Sequence, residues 1–170
     1  MFTKTDIEKY FLTEKNAGLI FLIVGIIALL IAAGFFFFWK TNFAKGAAIP
    51  LLIFGLVQAV AGFAVYKNSD NQRIDMVYSF DMNPSKLRNE ELPRMKMVNR
   101  SFVIYKWIEI ALIITAIVLI VLYRNNEEKV FLFGFAITLL IQSALMFSAD
   151  FVAAKRASIY MQQLETLIKK

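Results

Sequence analysis

SFVIYKWIEIALIITAIVLIVLY, residues 101–123, is an apolar run of membrane length that carries charge only near its start, at Lys106 and Glu109. About 20 apolar residues cross the hydrocarbon at roughly 1.5 Å per residue. Ile110 to Val121 holds nothing more polar than Thr115, so the stretch predicts a transmembrane helix. Charges within a span are costly and tend to face a bundle interior or a cavity, which makes Glu109 the first candidate for function.

Three other runs read the same way. Ala17 to Trp39 contains no charge, places Gly18, Gly25, Ala28 and Ala32 on one helical face, and closes on the aromatic belt Phe35 to Trp39. Gly46 to Tyr66 carries a small, polar stripe of Gly55, Gln58, Ala59 and Gly62. In Val130 to Asp150, Gly134, Thr138, Gln142, Met146 and Asp150 recur every fourth residue, a stripe too polar for open lipid. Turns around Thr41 to Lys45 and Arg124 to Lys129 are too short for anything but tight hairpins. The predicted fold is an all-α membrane protein with four transmembrane helices in two hairpins and cytoplasmic helical extensions. Its parts are an N-terminal interfacial helix (1–16), hairpin 1 (17–66), a helical connector (67–100), hairpin 2 (101–150) and a C-terminal helix (151–170).

Composition fits this frame. The 170-residue chain is 59% apolar, against roughly 45–50% for soluble domains, and its net charge of +6 sits between the apolar runs. Without cysteine there is no disulfide framework, thiolate metal site or dithiol chemistry, which excludes the membrane thiol oxidoreductases. Without histidine the commonest general base and transition-metal ligand are missing. No glycine-rich phosphate loop, nucleophile–base pair or metal-ligand spacing is present, so the sequence predicts no catalytic residues, no metal and no cofactor. The basic residues are explained by topology and anionic headgroups rather than by nucleic acid or nucleotides.

The mixed charges of residues 1–16 do not fit a signal peptide. Thr5 with Glu8 fits a capping box, and Phe2, Ile7, Tyr10 and Phe11 form an apolar face suited to lipid headgroups. In the connector, Ile74, Val77 and Tyr78 continue the second span as an amphipathic helix. Asn83–Pro84 reads as a helix start, and Pro93 opens the helix leading into the third span. Glu90 and Glu91 read as a solvated helix end, with a hard-cation site as the functional alternative. Ala157, Met161, Leu164 and Ile168 repeat at helical spacing beyond the fourth span.

Two larger patterns follow. Trp39 matches Tyr123, Lys40 Arg124, Asn42 Asn126, Lys45 Lys129 and Gln58 Gln142 at one constant offset, which reads as a duplicated hairpin in parallel orientation. Lysine and arginine crowd the termini and connector, including Lys4, Lys67, Arg94, Arg156 and Lys170, while the turns hold only Lys40, Lys45, Arg124 and Lys129. By the positive-inside bias, both termini and the connector are cytoplasmic, in a bacterial-type inner membrane.

The intramembrane polar residues are therefore Gln58, Lys106, Glu109, Gln142 and Asp150. The two glutamines read as interhelical hydrogen bonders. For Glu109 the simpler reading is an ion pair with Lys106 one turn away, both reaching toward water. The functional reading sets Glu109 and Asp150, with Lys106 and Lys155 near, at one depth as a proton or cation site. Span count and one buried acid resemble the four-helix small multidrug exporters, although there the acid lies in the first span, which here has none. The expected function is non-enzymatic protein–protein binding, for example as an immunity or accessory protein for a membrane-acting partner. The alternative is a small proton- or cation-coupled transporter using Glu109. The expected partners are the bilayer and a protein or a second copy of the chain.

Overall fold

The computed structural model describes residues 2–169; the outermost residues of the predicted 1–16 and 151–170 segments, Met1 and Lys170, lie outside them. Four long helices dominate: α1 (Lys4–Gly34), α2 (Asn42–Met82), α3 (Leu92–Tyr123) and α4 (Val130–Ile168). Each contains a stretch long and apolar enough to cross a membrane, and no strand occurs among the described residues.

Local signals set the helix ends. Thr3 precedes α1, and its backbone N–H and hydroxyl both donate to the Asp6 carboxylate, at 2.8 and 2.7 Å. The capping pair is therefore Thr3–Asp6, two residues ahead of the expected Thr5–Glu8, because Asp6 reaches back across the first turn. A π-helical turn, Phe35–Trp39, extends α1, and Lys40, at φ 45°, reverses the chain. Thr41 then caps α2 by accepting from the Ala44 N–H at 3.1 Å. Asn83 with Pro84 starts a single turn, Pro84–Lys86, which passes through a second π-turn, Leu87–Glu91, into α3. Helical geometry runs unbroken through that π-turn, so Pro93, expected to open a helix, instead follows the π-turn as the second residue of α3.

Close packing follows the small residues. A Cβ on Gly25 would lie 2.5 Å from the Ala59 nitrogen, and one on Gly62 would lie 2.4 Å from the Leu22 nitrogen, so α1 and α2 run antiparallel with their backbones touching. A Cβ on Gly46 would lie 1.9 Å from the Phe131 carbonyl oxygen, and one on Gly134 2.2 Å from that of Phe43, so α2 and α4 cross in backbone contact near the turns. Here α2 also carries Pro50, whose ring faces the carbonyl four residues back, that of side-chain-free Gly46. α4 packs between α2 and α3, whereas α1 only grazes α4. In the apolar half the helices thus stand in the row α1–α2–α4–α3.

The polar half closes around a shared core. Ile7 and Phe11 of α1, Met76 of α2, Met95 of α3, and Ala157, Tyr160 and Leu164 of α4 are buried together. The start of the chain is accordingly no separate helix on headgroups. α1 is continuous from Lys4, and Ile7 and Phe11 bury their faces against three other helices instead of lipid. Interhelical ion pairs surround this core, among them Lys4–Asp81, Lys15–Asp70, Lys96–Glu165 at 3.4 Å and Arg156–Glu14 at 3.0 Å.

At the offset of 84 residues read from the sequence, the separation of Gln58 and Gln142, positions in the two halves can be compared. Trp39 and Tyr123 both end helical segments. The buried positions also recur: Phe11 with Met95, Gly25 with Glu109, Ala32 with Ala116, Gly55 with Leu139, and Met76 with Tyr160. Gln58 and Gln142, matched at this offset, touch one another at the seam between α2 and α4.

Candidate functional site

The five polar residues singled out in the sequence fall into two groups. Gln58 and Gln142 meet at the α2–α4 seam, where the Gln58 amide Nε2–H donates to the Gln142 Oε1 at 3.0 Å and both side chains are buried. The Gln58 Oε1 accepts nothing. This contact spans two apolar surfaces and holds the molecule's two halves in register.

Lys106, Glu109 and Asp150 come together elsewhere, in a cavity of about 350 Å³ between α3 and α4. α3 contributes Phe102, Val103, Lys106 and Glu109; α4 contributes Phe147, Asp150, Phe151 and Lys155. Asn99, Ala154 and Ser158 complete its lining, in which apolar and polar side chains alternate. Lys106 and Lys155 are exposed at its edge, whereas Glu109 is only 4% exposed.

No ion pair joins Lys106 to Glu109, which corrects the simpler reading of that spacing. Neither oxygen of the Glu109 carboxylate accepts from a lysine, arginine, hydroxyl or amide, and its polar neighbour is the Asp150 carboxyl, at hydrogen-bonding range across the seam. Its side chain turns between α3 and α4 toward Asp150, while Lys106, one turn away on the same helix, points outward and leaves it alone. The only other buried carboxylate among the described residues, Glu91 at 3% exposure, behaves oppositely. It accepts two hydrogen bonds from Arg94, both at 2.7 Å, in the fork geometry that makes Arg–carboxylate pairs strong. Glu91 is therefore a satisfied core group and not the solvated helix end expected from the sequence.

The offset of 84 residues sets this cavity beside the tighter α1–α2 seam. Gly18, Gly25, Gly55 and Gly62, which bring α1 and α2 into backbone contact, correspond to Phe102, Glu109, Leu139 and Met146. A side chain at Gly25 would strike Ala59, whereas its equivalent is a full glutamate. α3 and α4 must stand farther apart to hold these larger side chains, and the gap between them is the cavity.

A second cluster lies in the core of the polar half, beyond the apolar runs. The Tyr10 and Tyr160 rings stack at 4.1 Å between centroids, and the Arg94 guanidinium stands 5.8 Å from the centroid of Phe11. Burial pushes both phenols above their usual range, and the Glu91 carboxylate beside the Tyr160 hydroxyl adds to the effect there. Nearby, the side-chain bond to Asp70 pushes the Lys15 ammonium up and holds the Asp70 carboxyl below its usual range. Among the described residues no three acidic side chains converge as a metal site would require.

Sequence reasoning missed one surface. Ile74, Tyr78 and Met82 are 60%, 64% and 70% exposed on α2, forming a ridge at four-residue spacing, while Met76 and Ser79 turn into the core. Ile74, Val77 and Tyr78 were expected to share one apolar face, but only Val77 packs on the core. The signal was present as Ile74, Tyr78 and Met82 at i, i+4 and i+8, a second apolar face that one core could not also bury.

No protein-family model, curated protein or solved structure matches this chain.

Proposed function

We propose that this chain is a multi-pass inner-membrane protein, with both termini and the 67–100 connector cytoplasmic, that acts without chemistry by binding another protein. The two antiparallel pairs serve as transmembrane hairpins, and the polar half of the bundle projects into the cytoplasm. The observation carrying the reading is the exposed ridge Ile74–Tyr78–Met82. At 1.5 Å per residue, Tyr78 stands about 18 Å beyond Tyr66 at the end of the apolar run, too far out for lipid to cover it. Large apolar side chains on a water-facing helix mark an interaction surface, and a ridge at this spacing fits the groove of an amphipathic helix from the partner. An immunity or accessory protein that restrains a membrane-acting partner is one concrete form of this role.

A photo-crosslinking amino acid at Tyr78, in cells carrying the natural partner, is expected to trap one protein that Tyr78→Glu no longer retains on purification. Equal recovery with wild type and Tyr78→Glu would remove the ridge as the docking face.

A second reading has its own support. Glu109 is a buried carboxylate with no cationic partner, facing Asp150 in an open cavity, as a small proton- or cation-coupled transporter would need.

A further inference from the structure

We infer that the mouth of the α3–α4 cavity is a binding site for an anionic phospholipid, its phosphodiester held between Lys106 and Lys155 and an acyl chain laid along the cavity. The inference rests on the membrane placement proposed above and not on the protein partner. Three observations carry it. First, two cations at the mouth have no acid of their own. Among the described residues Lys4, Lys15, Lys96 and Arg156 each pair with an acid of another helix, whereas Lys106 and Lys155, both exposed and both lining the cavity, pair with none. α3 and α4 run antiparallel, and side chains lean toward the N-terminus of their own helix. Lys106 therefore leans out of the apolar run while Lys155 leans back toward it, and the two ammonium groups approach one level from opposite sides.

Second, the charges leave room for one anion. The floor of the cavity is the hydrogen-bonded pair Glu109 and Asp150. A hydrogen bond between two carboxyls needs a proton on one of them, so the pair carries a single negative charge against the two lysines. One positive charge remains at the mouth, which a singly charged phosphodiester neutralises and a headgroup bringing its own cation does not. Third, the order of side chains is that of a phospholipid. Phe151 and Phe147 follow Lys155 at one and two turns toward the apolar half, and all three line the cavity. The cation thus lies where a phosphate would be and the rings where a chain would run. Val103 and Phe151 are exposed at the rim, so the cavity of about 350 Å³ opens toward lipid.

The test uses Trp107, exposed beside Lys106, as its reporter. Full-length Trp39→Phe, which leaves Trp107 as the single tryptophan, is reconstituted in phosphatidylcholine vesicles. A rising fraction of either phosphatidylglycerol or phosphatidylcholine with brominated acyl chains is included, and quenching of Trp107 is recorded. Brominated phosphatidylglycerol is expected to quench at the lower fraction, with a relative affinity on the order of 5- to 30-fold, the contribution of one or two surface lysines. Lys106→Gln combined with Lys155→Gln should bring the two lipids level. Lys67→Gln, which removes a lysine at the same end of the apolar runs but outside the cavity, should keep the preference. Free glycerophosphoglycerol, the same headgroup without chains, should leave the quenching unchanged. Equal quenching by both lipids would overturn the site while upholding the membrane placement, and quenching by neither would overturn the placement and the site with it. A preference that survives the double glutamine change, or that free glycerophosphoglycerol abolishes, would also overturn the inference.

Discussion

The two buried amides show how much a single contact decides here. Gln58 and Gln142 were legible in the sequence because each shares a stripe with small neighbours and because they match at the repeat offset. The structure adds that they bond to one another at 3.0 Å. Gln58→Leu strands the Gln142 carbonyl in an apolar seam and is expected to cost about 1–2 kcal/mol. Replacing both by leucine removes the donor with its acceptor and should cost less than the sum of the single changes. Reversible unfolding in mixed micelles, run as a double-mutant cycle, reads this coupling. Strictly additive single changes would mean that the amides do not act as a pair. Glu109 was harder to read. A lysine three residues before a glutamate favours an ion pair in sequence, but whether the side chain turns along its own helix or across to α4 depends on the bulk of residues far away in the chain.

Among the elements, the helices and their turns were written in uninterrupted apolar runs and tight connections. The seams were written in glycine. What could not be read locally was the start of α1, because the surfaces that bury Ile7 and Phe11 come from α2, α3 and α4. The glycines give a graded prediction. Gly46→Ala puts a methyl group 1.9 Å from the Phe131 carbonyl oxygen, and Gly25→Ala puts one 2.5 Å from the Ala59 nitrogen, where backbone must move. Each should destabilise by about 1–3 kcal/mol, as overpacking does. Gly34→Ala meets only the Trp39 ring, at 3.4 Å, and should be neutral or mildly stabilising through better helix propensity. Thermal unfolding of the three variants in one detergent checks the order. Loss at Gly34 equal to that at Gly46 would show that the seams are not in backbone contact.

For the whole molecule, two helix pairs meet at the Gln58–Gln142 contact, one zipped by glycine and one opened around Glu109. The proposed role depends on which side of the membrane receives the polar half. The lysine and arginine distribution is the ground on which the cytoplasm is proposed for that half, and with it for the ridge at Tyr78. Because the chain has no cysteine, one can be introduced at will. The deciding measurement is labelling of Asn71→Cys and Asn126→Cys by a membrane-impermeant maleimide, in intact cells and after permeabilisation. The account predicts that Asn126→Cys labels in intact cells while Asn71→Cys labels only once the membrane is opened; labelling of Asn71→Cys in intact cells, with Asn126→Cys protected, would contradict it.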